Sequence, residues 1–140
     1  MKRQAFIICV LLLSVIANAQ QTEFPKLTGP YLGQKPPQDK PELFCPGIVS
    51  NEVNHSSVAI TPDGNELFWS AKDRRIWYTK IENGYWIEPE LVSFCKKDST
   101  QYDNPFITTD GKKLFVTSFR PGAVVQNMET IWFSERTSEG

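Results

Sequence analysis

The stretch Val58-Ala59-Ile60-Thr61-Pro62-Asp63-Gly64-Asn65-Glu66-Leu67-Phe68-Trp69-Ser70 returns in altered form as Pro105-Phe106-Ile107-Thr108-Thr109-Asp110-Gly111-Lys112-Lys113-Leu114-Phe115-Val116-Thr117. Asp63 and Asp110, Gly64 and Gly111, Leu67 and Leu114, and Phe68 and Phe115 are each 47 residues apart. Identities recurring at such a period mark a propeller blade or solenoid unit. Each copy reads as strand, turn, strand. In Pro62-Asp63-Gly64 the proline presets φ, the aspartate accepts hydrogen bonds from nearby backbone amides, and the glycine takes a positive φ. Asp63 and Asp110 therefore read as turn formers. Neither turn has the oxygen ligands at alternating positions that a calcium loop requires. Leu67-Phe68-Trp69 and Leu114-Phe115-Val116 are consecutive apolar residues, which predicts strands buried on both faces, as where one sheet is stacked between two layers.

Outward from the two turns, Ile76-Trp77-Tyr78 and Ile131-Trp132-Phe133 supply matching third strands. After the first of these, Asn83-Gly84 is a two-residue hairpin signal and Tyr85-Trp86-Ile87 resumes the strand pattern. Residues 56–93 thus read as a four-stranded antiparallel meander whose last strand covers residues 85–93. Pro41-Glu42-Leu43 matches Pro89-Glu90-Leu91, which predicts that residues 41–49 form another fourth strand, without its own partners ahead of it. Residues 103–140 hold three strands of an incomplete second unit, with a longer connection between Phe119 and Thr130. Alternate connections of an antiparallel meander lie at one end, so loops 71–75, 94–104 and 119–130 should share a face, and loops gathered on a rigid scaffold are where binding concentrates. Trp69, Trp77, Trp86 and Trp132 occupy strand positions, which favours packing between layers over a sugar-stacking platform.

The chain opens with Lys2 and Arg3, an apolar run from Ala5 to Ile16 broken only by Ser14, and Ala17-Asn18-Ala19. These are the three parts of a secretory signal peptide, expected to occupy residues 1–19. The run is shorter than the roughly 20 residues a membrane-spanning helix needs, so no span is expected after cleavage. Residues 20–40 carry Pro25, Pro30, Pro36 and Pro37 and cannot hold a helix. This proline-rich segment reads as extended, either a tether or a strip laid on the body through Phe24, Leu27, Tyr31 and Leu32.

The 140 residues hold 15 Lys and Arg against 16 Asp and Glu, and the leader would remove two of the cations. The mildly acidic balance lacks the basic stripe of a nucleic-acid-binding protein. No nucleophile elbow, zinc-ligand spacing or phosphate loop occurs, so the sequence supplies no catalytic set, no metal ligands and no cofactor motif. Cys45 and Cys95 are an even pair in a chain expected to be exported, which permits a disulfide. Both follow a Pro-Glu-Leu strand, however, and so fall at similar places in different units. Outer strands there diverge, while a disulfide needs Cα atoms within about 7 Å, and no bond between them is expected.

At Thr61-Pro62-Asp63-Gly64-x-x-Leu67-Phe68, its weaker copy at residues 108–115, the two Ile-Trp pairs and Gly84-Tyr85-Trp86-x-x-Pro89, the sequence resembles the TolB-like, WD-repeat-like β-propeller repeat of exported bacterial proteins. The resemblance covers residues 41–140. It implies an all-β fold of propeller blades, each a four-stranded antiparallel meander, with an N-terminal strand that closes the ring. A closed ring needs at least about four blades, so the chain is expected to be a fragment with an incomplete ring. Phe119-Arg120-Pro121-Gly122 resembles the family's Arg-Pro-Gly loop, although Thr130 stands where the family has Asp before Ile-Trp. In a propeller His55, Ser56 and Ser57, with their counterparts Asp103 and Asn104, would line the mouth of the central channel. With Arg120 they are the candidate binding residues, against the plainer reading of polar residues at a strand entrance.

The function these readings imply is a non-catalytic propeller module, exported to the periplasm or outside the cell, that binds an envelope protein, a small ligand or a glycan. Two alternatives stand beside it. One is the propeller portion of a secreted peptidase or glycan-active hydrolase whose catalytic part lies elsewhere, and the other is envelope assembly through a peptidoglycan-associated partner.

Overall fold

In both copies the Asp-Gly turn is built from the same hydrogen bonds. Thr61 Oγ1 donates to Asp63 Oδ1 at 2.7 Å, and Thr108 Oγ1 to Asp110 Oδ1 at 2.5 Å. The same carboxylate oxygens accept the amides of Asn65 and Lys112 at 3.1 and 3.0 Å. Gly64 and Gly111 donate to the Thr61 and Thr108 carbonyls at 2.8 Å, with φ of 72° and 69°. The bonds hold Asp63 below the ordinary carboxylate range, through Thr61 first and the Asn65 amide second, and hold Asp110 down through Thr108 first and the Lys112 amide second. These are the contacts of turn formers.

The computed structural model describes residues 23–51, 55–97, 99–120, 122 and 128–137. The expected signal peptide lies outside the described residues. From the first turn the chain makes β1 (His55–Ile60), β2 (Glu66–Ala71), β3 (Ile76–Glu82), β4 (Tyr85–Trp86) and β5 (Glu90–Leu91), then a short helix α1 (Ser93–Lys97). From the second it makes β6 (Tyr102–Ile107), β7 (Lys113–Ser118) and β8 (Thr130–Glu135). All pairings between these strands are antiparallel. The first sheet runs β1-β2-β3-β4 with β5 also on β3, and the second runs β6-β7-β8. Among the described residues the fold is thus mostly β, built from two open antiparallel sheets.

The last strand of the first unit differs from the expected continuous strand over 85–93. It is split into β4 and β5 around Ile87-Glu88-Pro89, and both parts pair with β3. Pro89 has no N–H for a ladder bond, which favours a break at that point. Thr79 Oγ1 donates to the Ile87 carbonyl at 2.6 Å and so partners the interrupted backbone. Part of the expected 94–104 linker is helical, since α1 follows β5 closely and buries Cys95.

A larger correction concerns residues 41–49, which form no strand. Cys45 takes φ 45° and Gly47 φ 81°. The Cys45 carbonyl accepts the Val49 amide at 3.0 Å, and Gly47 donates to the Ser50 carbonyl at 2.8 Å. Only an isolated parallel bridge joins Pro46 to Ser50. The tripeptide match to Pro89-Glu90-Leu91 was too short to carry a structural equivalence. The preceding proline-rich segment is a strap on the body, and it is not wholly extended as expected, since Tyr31–Gly33 form one turn of 3-10 helix after Pro30. The Trp86 amide donates to the Leu27 carbonyl at 2.9 Å, Trp86 Nε1 to the Gly29 carbonyl at 2.6 Å, and the Tyr31 amide to the Gly64 carbonyl at 3.1 Å.

Three layers result. The strap with the 41–50 turn lays Leu32, Cys45 and Val49 against Leu67, Trp69 and Trp86. On the opposite side of the first sheet, Ala59, Phe68 and Ile76 pack with Ile107, Leu114 and Val116 of the second, while Cys95 and Val92 join the same core. β2 is accordingly buried from Leu67 through Ser70, as its consecutive apolar residues predict. β7 is not buried on both faces. It buries Leu114, Val116 and Ser118 and leaves the residues between them partly open, because one of its faces has no covering layer among the described residues. Cys45 and Cys95 lie in separate cores and form no disulfide with each other.

Candidate functional site

At the end of the strands opposite the Asp-Gly turns, the 71–75 connection of the first sheet meets the strand ends of the second. Arg74 is the hinge of this meeting. It takes φ 54°, donates its amide to the Ala71 carbonyl at 2.8 Å, and accepts the Tyr102 amide on its own carbonyl at 2.7 Å. A non-glycine residue in the left-handed region costs roughly 1–2 kcal/mol and persists where the surroundings over-determine it. Here the turn and the bond across to β6 do so.

The Arg74 side chain reaches into the second unit. Its Nη2 donates to Glu129 Oε1 at 3.1 Å, its Nε lies 3.8 Å from Asp103 Oδ2, and its guanidinium stands 5.3 Å from the Phe119 ring centre. Glu129 Oε1 also accepts Thr117 Oγ1 at 3.0 Å, and Asn104 Nδ2 donates to Thr117 Oγ1 at 3.2 Å. Asp103 is the most enclosed of the charged groups, with 19% of its side chain exposed, against 37% for Arg74.

Asp103 and Asn104 reach this network through a bulge. The register of β6 slips between Asp103 and Phe106, as that of β1 does between His55 and Val58. Asn104 has φ 51° and donates its amide to Asp103 Oδ1 at 2.9 Å. An extra residue in one strand re-aims the side chains on either side of it, and each unit has such an insertion in its first strand, the second displaced by one residue in the 47-residue register.

Arg120 forms a second cluster beside the first. Its Nη1 donates to the Tyr102 hydroxyl at 3.3 Å, its guanidinium lies 5.6 Å from the Trp132 ring centre, and its amide is held by Ser118 Oγ at 3.1 Å. Trp132 Nε1 donates to Thr130 Oγ1 at 2.9 Å, which fixes the indole under the guanidinium. The result is an exposed planar cation resting on an aromatic face, an arrangement suited to carboxylate or polyhydroxyl groups.

Of the six residues singled out from the sequence, Asp103 and Asn104 belong to the Arg74 network and Arg120 to the adjoining cluster. Ser57 lies on β1, and its Oγ is a buried atom with no hydrogen-bond partner among the described residues. His55 and Ser56 lie on β1 as backbone, and their side chains fall outside the described residues. Arg74, Glu129, Tyr102 and Phe119 were missed. The charged run Asp73-Arg74-Arg75, in a loop expected on the same face as Arg120, was the available signal.

No group of three or more His, Cys, Asp or Glu side chains among the described residues is placed to hold a metal ion. No described helix is long and apolar enough to cross a membrane. Compared with protein-family models, with curated proteins and with solved structures, the chain matches none.

Proposed function

We propose that this chain is part of an exported β-propeller-type module that binds a partner in the bacterial envelope at the strand end carrying Arg74, Asp103 and Arg120. The observation that carries this reading is the polar network from Arg74 through Glu129 and Thr117 to Asn104. It joins the two units at the end where loops converge, whereas the opposite end is occupied by turn-forming contacts. The network is flanked by an arginine on an indole face. Polar groups held on a rigid sheet beside an aromatic surface suit recognition of a carboxylate-bearing peptide or a glycan. The repeated meander and the leader-like N-terminus support the propeller and export parts of the reading.

The test compares wild type with Arg120→Ala and Asp103→Ala as bait in envelope extracts, after circular dichroism has established that the folds are unchanged. Recovery of one envelope component by wild type, reduced at least about tenfold by each substitution, supports the reading; a loss of this size corresponds to about 1.4 kcal/mol. Equal recovery by all three proteins refutes the assignment of this end.

A further inference from the structure

The two sheets share a pattern but differ in what covers them. The Ala59–Phe68–Tyr78 face of the first sheet is closed by the second, which lays Ile107, Leu114 and Val116 on it. Phe106 and Phe115 stand 47 residues after Ala59 and Phe68. Phe133 follows Trp132 as Tyr78 follows Trp77. The corresponding face of the second sheet is therefore Phe106–Phe115–Phe133, a contiguous aromatic row with ring centres 6.3 and 5.7 Å apart. It is open: Phe106 and Phe133 are each 59% exposed. Ile131 is 74% exposed, whereas its counterpart Ile76 is fully buried. β8 pairs only with β7 among the described residues, whereas β3 carries β4 and β5 on its far side.

We propose that the Phe106–Phe115–Phe133 face is a docking surface for a further antiparallel meander of the same kind, one that presents aliphatic side chains and places an acidic residue opposite Lys113. The aliphatic requirement follows from the interface already formed within the molecule, where an aromatic-bearing face is met by Ile107, Leu114 and Val116. The acidic requirement follows from a charge reversal. In the existing interface Glu66 of β2 binds the Arg136 guanidinium, whose Nη1 donates to Glu66 Oε1 at 2.8 Å. Lys113 stands at the place of Glu66 in the second unit, so an arginine at the Arg136 place of an incoming sheet would be repelled and a carboxylate attracted. Lys113 now lies over the Phe133 ring and pairs with Glu135 at 3.1 Å on its own surface, within reach of an incoming carboxylate.

A second copy of the folded chain does not meet these requirements. Its aliphatic sheet face, that of Leu114 and Val116, is already covered by the first sheet, and the mixed face of Leu67 and Trp69 by the strap. The inference rests on the stacked-sheet reading proposed above and is independent of what binds at Arg120. Its test reads backbone protection rather than partner recovery, so the two can fail separately.

The experiment extends the chain after Thr137 with a second copy of residues 83–137, so that Asn83-Gly84 follows β8 as it follows β3, with Arg136→Glu in the appended copy. Hydrogen exchange should show the appended amides protected at least about 100-fold over their unfolded rates, together with loss of dye binding to exposed apolar surface. Lys113→Glu in the parent part should weaken that protection, and restoring arginine at the appended position should recover it. Appended amides exchanging at unfolded rates, while the parent sheets stay protected, would overturn the proposal. So would self-association of the unextended protein in sedimentation that Ile131→Ser abolishes, since a second copy would then be the occupant.

Discussion

Gly64 and Gly111 provide an internal control for the role of the strap. Both occupy the same position of the same turn, with φ of 72° and 69°, and both would be forced by alanine into a backbone region that L side chains rarely adopt. That shared cost is roughly 1–2 kcal/mol. The surroundings differ. A Cβ on Gly111 would meet nothing within 4 Å, whereas one on Gly64 would lie 3.1 Å from Pro30 Cβ and 3.2 Å from Tyr31 Cζ. The Tyr31 ring can swing toward solvent, but Pro30 Cβ is fixed to the backbone. The strap would have to shift, against the Tyr31 amide bond to the Gly64 carbonyl. Overpacking of this kind adds about 1–3 kcal/mol. Gly64→Ala should therefore be the more destabilising by about 1–3 kcal/mol, which at a urea m-value of about 2 kcal/mol/M is a difference of about 0.5–1.5 M in midpoint. Limited proteolysis should also cut residues 34–41 faster in Gly64→Ala than in Gly111→Ala. Equal midpoints for the two variants would show that the strap does not press on the turn, and the layer assignment would fail with it.

Other outcomes follow from single contacts. Trp86→Phe keeps the buried ring but removes the bond to the Gly29 carbonyl, and should cost about 1–2 kcal/mol in urea unfolding; a change near zero would mean that this bond does not hold the strap. Tyr78 is pushed up to about 12, by burial first and by its bond to Glu90 second. Its contribution to stability is fully present below an unfolded value of about 10 and is lost as pH rises toward about 12. A tyrosinate absorbance titration should show a late-ionising component that is lost in Tyr78→Phe. Glu90 is held below the ordinary carboxylate range, by Lys96 first and then by the Tyr78 hydroxyl. Its contribution is present above an unfolded value of about 4.3 and is lost as pH falls through its lower folded value, so acid-unfolding curves of wild type and Glu90→Gln should converge at low pH. Burial raises the Cys45 thiol to about 11, so alkylation at pH 8 should be slow in the native protein and fast in urea, with an intact mass that reduction leaves unchanged.

The two Asp-Gly turns and three of the strands around each were legible from residue type and spacing, because their determinants are local. A threonine, an aspartate and a glycine within four positions satisfy one another's hydrogen bonds wherever the turn is placed. The end of the meander carrying the candidate site was legible too, since antiparallel geometry assigns alternate loops to one side. The bulge that brings Asp103 and Asn104 to Arg74 was not, because a one-residue slip depends on the partner strand. Arg74 itself was hidden for a related reason. Its contacts to Glu129 and Asp103 span 55 and 29 positions and exist only after two sheets have stacked.

The sequence by itself determined the local grammar of this protein: paired turns, antiparallel meanders and a proline-rich segment too broken for an α-helix. Only the tertiary structure decided what each apolar face meets. Residues 41–49 resembled a strand by a three-residue match, yet a strand needs a partner edge, and the chain instead turned at Cys45 and Gly47 to cover Leu67 and Trp69. Leu114-Phe115-Val116 resembled Leu67-Phe68-Trp69, yet burial on both faces requires a layer on both sides. The strap supplies that second layer to the first sheet, while Phe106, Phe115 and Phe133 are left open on the second. Burial is a property of pairs of surfaces, and a repeat written twice in sequence specifies the surfaces without specifying their partners.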